Sequence, residues 1–200
     1  MEYICHRINS AQMLTIIPEQ FGAEIDLRDG TDGRLYLSHD PFVPGPDFEE
    51  FLEAYHHGTL ILNIKSERIE HRVLDLLEQY GVKRYFFLDS SFPMIYLLSS
   101  EGIQDIAIRF SEYERMDTLR QMAGKAGWVW ADCFTRCVLT PENYAQLREL
   151  GYRICLVSPE LQGRPEDIPS HAVYLRDNGL IPDAICTKYH QIALWQKYFA

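Results

Sequence analysis

Short runs rich in β-branched and aromatic residues recur eight times along this chain, and helix-like stretches separate them: Tyr3–His6, Ala23–Leu27, Leu60–Lys65, Tyr85–Asp89, Ile106–Phe110, Trp128–Asp132, Arg153–Ser158 and Ala184–Lys188. A helix between two strands returns the chain to the same end of the sheet, so neighbouring strands must pair in parallel. Eight such units in 200 residues predict one α/β domain over 1–200, a compact (β/α)8 TIM barrel near the lower end of that fold's length. Helical spacing predicts helices over 11–19, 47–57, 67–80, 91–100, 112–124, 140–150 and 189–198. The 67–80 segment shows the pattern best, with Ile69, Val73, Leu76 and Leu77 as one apolar stripe and Gly81 as the stop. Thr140-Pro141-Glu142 opens another with an N-cap and a first-turn proline. One irregularity interrupts the alternation: Asp29-Gly30-Thr31-Asp32-Gly33, followed by Arg34 to Asp40, predicts a short β-hairpin inserted after strand two. That insertion carries His39 into a loop above the barrel.

Charge and apolar content narrow the partners. The chain holds 29 acidic and 19 basic residues, a formal charge of −10, which repels nucleic acid and anionic membrane surfaces. No apolar run approaches the ~20 residues of a membrane-spanning helix, and Met1 to His6 lacks the features of a signal peptide. A soluble, cytoplasmic protein without a transmembrane segment is expected, its oligomeric state left open. The five cysteines, Cys5, Cys133, Cys137, Cys155 and Cys186, read as reduced core thiols. Cys133-x-x-x-Cys137 has neither a second pair nor a neighbouring histidine in sequence, and so lacks the spacing of a zinc site. His56-His57 falls at the end of the 47–57 helix, where imidazoles suit the negative end of the dipole. Trp128, Trp130 and Trp195 read as core.

Polar residues close nearly every strand. His6 and Arg7 end the first; Glu24, Asp26 and Arg28 share one face of the second; Asn63 and Lys65 share a face of the third. Asp89, Arg109, Asp132, Ser158 with Glu160, and Lys188 close the other five. In a barrel these ends converge on one rim, where active sites form. Glu24-x-Asp26 is the sharpest signal, because two partly buried carboxylates on one face require a proton or a cation. Oxygen ligands suit Mg²⁺ or Ca²⁺, with Asn63 adding a carbonyl oxygen. A salt bridge to Arg7, Arg28 or Lys65 would satisfy the same pair without an ion. Imidazoles titrate near neutrality, which suits His6 and His39 to acid/base work. Lys65 and Arg109 could meet an anion and Asp89 and Glu160 substrate hydroxyls, with Asp132 and Lys188 as further substrate contacts on the same rim.

In sequence order, His6-Arg7, Gly22-Ala23-Glu24-Ile25-Asp26-Leu27, Asp32-Gly33-Arg34-Leu35-Tyr36-Leu37-Ser38-His39-Asp40 and Leu62-Asn63-Ile64-Lys65 resemble the glycerophosphodiester phosphodiesterases. These belong to the phosphatidylinositol-phospholipase-C-like TIM barrels. The resemblance implies that His6 and His39 are the acid/base pair, that Glu24 and Asp26 hold a divalent metal, and that Arg7 and Lys65 hold the phosphate of a small phosphodiester. Where the family carries its third metal-ligating glutamate, two positions before the lysine, this chain has Asn63. It also lacks the Glu-Asn-Thr stretch after His6-Arg7, and Ile8 stands where a glycine is usual. The implied activity is metal-dependent hydrolysis of a glycerophosphodiester-like, sugar or polyol phosphodiester. Asn63 supports a second reading, a noncatalytic barrel that binds a phosphorylated metabolite.

Overall fold

A computed structural model describes residues 1–199. Eight parallel strands stand in the order β5-β4-β2-β1-β9-β8-β7-β6, with β3 paired antiparallel to the outer part of β2. The barrel strands are β1 (Glu2–Cys5), β2 (Gly22–Asp29), β4 (Leu60–Ile64), β5 (Tyr85–Leu88), β6 (Ala107–Phe110), β7 (Trp128–Ala131), β8 (Arg153–Val157) and β9 (Ala184–Thr187); the hairpin strand β3 covers Leu35–Leu37. Between β5 and β6 only a single bridge, Phe87 to Ile106, completes the circle, so the barrel is nearly closed with a loose seam there. The TIM barrel and its hairpin after the second strand are as the sequence predicts.

The helices are α1 (Ala11–Leu14), α2 (Phe48–Glu53), α3 (Glu70–Gln79), α4 (Phe92–Ser100), α5 (Met116–Met122), α6 (Pro141–Glu149), α7 (Ile168–Asp177) and α8 (Ile192–Phe199). The sequence reading omits α7. Pro169 and Ser170 in its first turn resemble a loop, although Ile168, Ala172 and Leu175 form a buried stripe and Asn178-Gly179 end it. The first two helices start where expected, capped by Ser10 and Asp47, but are shorter because the chain turns off after Leu14 and Glu53. His56-His57 therefore lies beyond α2, where His57 Nε2 hydrogen-bonds the Ile17 carbonyl at 3.1 Å instead of meeting a helix end.

Strand side chains alternate, and the alternation decides everything above the core. Outward residues such as Cys5, Ile25, Leu62, Val129 and Ile154 pack against the helices. Inward residues, among them Ile4, Ile61, Phe86, Trp128, Trp130, Cys155 and Cys186, fill the barrel interior, with the Phe86 and Trp128 rings stacked 4.5 Å apart. At Gly22 a Cβ would meet the Thr59 carbonyl at 2.3 Å, so only glycine lets β2 approach its neighbour there. Further along most inward columns the apolar filling stops and the polar rim begins, while β5 and β8 stay apolar through Leu88 and Val157.

Candidate active site at the C-terminal rim

By parity the inward columns continue from Ile4 to His6, from Ile61 to Asn63 and Lys65, from Ala107 to Arg109, from Trp130 to Asp132 and from Cys186 to Lys188. On β2 the inward positions Glu24 and Asp26 lie beside Ile61 and Asn63 of β4. Both carboxylates are buried. Glu24 accepts the Arg7 backbone N–H at 2.8 Å on one oxygen and the Asn63 amide at 2.8 Å on the other. Burial, then the Asp26 charge, push its pKa up to about 7, against the hydrogen bonds from Asn63 and Arg7 and the charge of Lys65.

Asp26 is held by Asn9, a residue the sequence reading overlooks. The Asn9 amide donates to Asp26 Oδ2 at 2.9 Å while its oxygen accepts the Asp26 backbone N–H at 2.8 Å. Asn9 sits three residues after His6 in an unremarkable loop, and only the fold brings it to β2. Lys65 Nζ stands 3.7 Å from Asp26 Oδ1 and Arg7 Nε 3.9 Å from Oδ2. Asp26 Oδ1 and Asn63 Oδ1 are both buried without a hydrogen bond. Two buried oxygens without a hydrogen bond and a neighbouring carboxylate on adjacent strands fit the oxygen-donor preference of a hard divalent cation, with Lys65 Nζ as the competing charge near Asp26 Oδ1. With asparagine at 63 the set carries two formal negative charges.

His6 closes β1 with Nε2 3.8 Å from Glu24 Oε2. Burial, followed by the Arg7 charge, lowers its pKa to about 4, with Lys188 and His39 adding to the effect and Asp26 opposing it. The imidazole is therefore neutral at pH 7 and can accept a proton. Arg7 adopts a left-handed φ of 56°, a strained setting for a residue with a side chain. His39 is on the hairpin loop, its Nδ1 2.8 Å from Asp40 Oδ1. Arg28 fixes that loop: it donates to the carbonyls of Ser38, His39 and Lys65 at 3.1, 2.8 and 3.0 Å. A cavity of about 360 Å³ opens beside His6 and Arg7, with Lys188 and Leu161 across it. A larger one, about 590 Å³, lies by the hairpin between Arg34 and Phe42; His6 and Arg7 do not line it, and Glu24 and Asp26 line neither cavity. The chemistry points to the smaller cavity.

The other half of the rim is occupied by its own charges. Lys65 Nζ also stands 3.5 Å from Asp89, which takes two bonds from Arg109 at 2.6 and 2.9 Å. Arg109 gives a third at 2.7 Å to Asp132, and Gln162 donates to the other Asp132 oxygen at 2.7 Å. Burial alone would raise the Asp89 pKa, but Arg109 and then Lys65 hold it below the ordinary value. By parity Asp89 would point outward with Tyr85 and Phe87, but its backbone takes a left-handed φ of 61° and its side chain meets Arg109. Glu160 is buried and takes the hydroxyls of Ser158 and Thr187 and the Lys188 backbone N–H. It joins the ends of β8 and β9, so its oxygens are already engaged.

A third group was discounted in the sequence. Cys133 and Cys137 come together with His171 of α7, their donor atoms all within 4.8 Å of one another. The nearby histidine missing from the linear spacing arrives from the helix that the sequence reading omits.

Solved structures share this barrel. A protein from Galdieria sulphuraria assigned as a glycerophosphodiester phosphodiesterase superposes with a TM-score of 0.70 at 19% identity, covering 100% of this chain and 98% of that one. A glycerophosphodiester phosphodiesterase from Agrobacterium tumefaciens gives 0.63 at 16% identity, over 93% of this chain and 96% of its own. A second Agrobacterium tumefaciens protein, assigned as a glycerophosphoryl diester phosphodiesterase, gives 0.70 at 14% identity over 100% and 98%. No family model and no curated protein matches the sequence. At these identities the likeness is one of fold: the class is a TIM barrel of the shape those phosphodiesterases adopt. Among the described residues no helix is long and apolar enough to cross a membrane.

Proposed function

We propose that this barrel is a metal-dependent phosphodiester hydrolase acting on a small glycerophosphodiester-like or sugar phosphodiester. The observation that carries the reading is the pair of buried oxygens without a hydrogen bond, Asp26 Oδ1 and Asn63 Oδ1, beside Glu24, which His6 approaches. The shared fold of solved phosphodiesterases supports it. Glu24, Asp26 and Asn63 would hold Mg²⁺ or Ca²⁺, which when bound offsets charge on the phosphoryl oxygens. Arg7, Lys65 and Lys188 supply the cationic surroundings that hold the phosphate.

His6, neutral at pH 7, takes the proton of the attacking hydroxyl or water. His39, oriented by Asp40, returns a proton to the leaving alcohol. Arg109 reaches both Asp89 and Asp132 and so positions Lys65 through Asp89 more than it contacts the phosphate. Asp89 could still meet a substrate hydroxyl at its exposed edge, whereas Asp132 is buried with both oxygens engaged by Arg109 and Gln162, and Glu160 braces the strand ends.

Incubation with a glycerophosphodiester and Mg²⁺ or Ca²⁺ should release a phosphomonoester and an alcohol, and His6→Ala and His39→Ala should each abolish release with the fold intact. Retained activity in either variant overturns the assignment of that histidine. The second reading, a barrel that binds a phosphorylated metabolite unchanged, draws on the Asn63 amide bonded to Glu24 and on Lys65 beside Asp26, which together balance the rim without an ion. Tight binding without turnover would favour it.

A further inference from the structure

Four strands around the barrel from β2, the loop that follows β7 runs from Asp132 through Cys133 to Cys137 before α6. Its conformation is set from outside. Glu112 accepts the backbone N–H groups of Phe134, Thr135 and Arg136 at 3.3, 2.8 and 3.0 Å, and the Thr135 hydroxyl at 3.0 Å. Arg164 donates to the Cys133 carbonyl and to Asp167, just before α7. This bracing turns both thiols inward, toward the first turns of α7.

His171 meets them there. It is buried, only 7% exposed, and its Nδ1 has no hydrogen-bond partner. Neither thiol gives it one: Cys133 Sγ leans on the Ala131 carbonyl and Cys137 Sγ on the Leu139 carbonyl, each at 3.9 Å. A buried, unsatisfied imidazole nitrogen costs free energy that a ligand at this point would recover.

We propose that Cys133, Cys137 and His171 form a zinc site that clips the loop after β7 to α7, a site separate from Glu24 and Asp26 and independent of the phosphodiesterase reading. Two thiolates and an imidazole suit a borderline-soft divalent ion, not Mg²⁺ or Ca²⁺. Tetrahedral ligands at about 2.3 Å stand roughly 3.8 Å apart. The three donor atoms already lie within 4.8 Å of one another, so rotamer adjustment suffices to close the site. Cys137 is half-buried, which lets solvent supply the fourth ligand. Binding displaces one proton from each thiol, so the Zn²⁺ and two thiolates leave no net charge in the cluster. Because Cys133 follows Asp132, the clip also fixes the strand end that Arg109 and Gln162 share.

The test titrates Co²⁺, then Zn²⁺, into the reduced full chain. One equivalent of Co²⁺ should give thiolate-to-cobalt charge-transfer absorption with tetrahedral visible bands, which the nitrogen and oxygen donors of the rim cannot produce. Zn²⁺ should bleach both, release two protons per ion and protect two thiols from alkylation. Cys137→Ser and His171→Gln, checked for folding by circular dichroism, should weaken Zn²⁺ binding by more than about a hundredfold, beyond what losing an outer-shell partner costs. Absence of the charge-transfer band in the reduced wild type, or unchanged bands in folded Cys137→Ser, overturns the assignment. Should both variants fail to fold, failure of Zn²⁺ to protect two wild-type thiols would overturn it as well.

Discussion

Replacing Arg109 with methionine removes the one cation that faces Asp89 and Asp132 together. Its guanidinium makes three charge-assisted bonds of 2.6, 2.7 and 2.9 Å, and Asp132 is 2% exposed. Stranding a buried charge by deleting its partner costs about 3–5 kcal/mol. Asp89 keeps Lys65 at 3.5 Å and part of its surface in water, which places the loss near the lower end, about 3 kcal/mol at pH 7. With a urea slope of about 2 kcal/mol per molar, the unfolding midpoint should fall by roughly 1.5 M. The pH dependence fixes the sign. In the native protein the Asp89 pKa is depressed, so its stabilisation is present above the unfolded value and lost as pH falls through the folded one. In Arg109→Met, burial acts without Arg109 to oppose it and raises that pKa, so stability falls as pH rises past the ordinary carboxylate range. The deficit of the variant should be large at pH 7 and shrink toward pH 4. A midpoint shift below about 0.3 M, or a deficit independent of pH, would refute the view that Arg109 is neutralised within the protein and would return it to the role of a free anion contact.

Other perturbations probe single contacts. His6 should titrate near pH 4 by nuclear magnetic resonance of its ring in metal-free protein; with an unfolded value of 6.5, its contribution to stability is present above 6.5 and lost as pH falls toward 4. A titration midpoint near 6.5 would show that the ring is open to solvent. Asn63→Asp exchanges the donor to Glu24 for a third carboxylate, so metal-free stability should drop by more than about 1 kcal/mol in denaturant titrations while Mg²⁺ affinity rises at least about tenfold. Equal affinities would remove Asn63 from the ligand set. Glu160→Gln should cost about 1–3 kcal/mol of stability through lost acceptor capacity toward Ser158, Thr187 and Lys188, yet leave turnover unchanged. A fall in kcat at intact stability would make Glu160 a substrate contact after all.

The barrel was legible because each unit carries its own local signal: an apolar run, a helical stripe, a turn. The left half of the rim was legible for a related reason. Glu24 and Asp26 share a strand, and period two alone puts them on one face. What sequence could not supply were partners fixed over long separations. Arg109 looks like an anion contact until β5 and β7 bring Asp89 and Asp132 against it, 20 and 23 residues away. Asn9 looks like loop until it meets Asp26. The helix expected over 112–124 starts only at Met116, which leaves Glu112 free to accept the backbone N–H groups of 134–136. The cysteine pair reads as core because α7, with proline and serine in its first turn, hides the histidine that completes the cluster.

Calorimetric titration of Mg²⁺ and Ca²⁺ into metal-free protein, with glycerol phosphate present, probes the Glu24–Asp26–Asn63 centre without any choice of substrate alcohol. One saturable site should appear in the wild type and vanish in Glu24→Ala/Asp26→Ala. Absence of binding, or binding that survives the double substitution, would contradict a divalent-cation centre at the ends of β2 and β4 and leave the barrel a binder of phosphorylated metabolites.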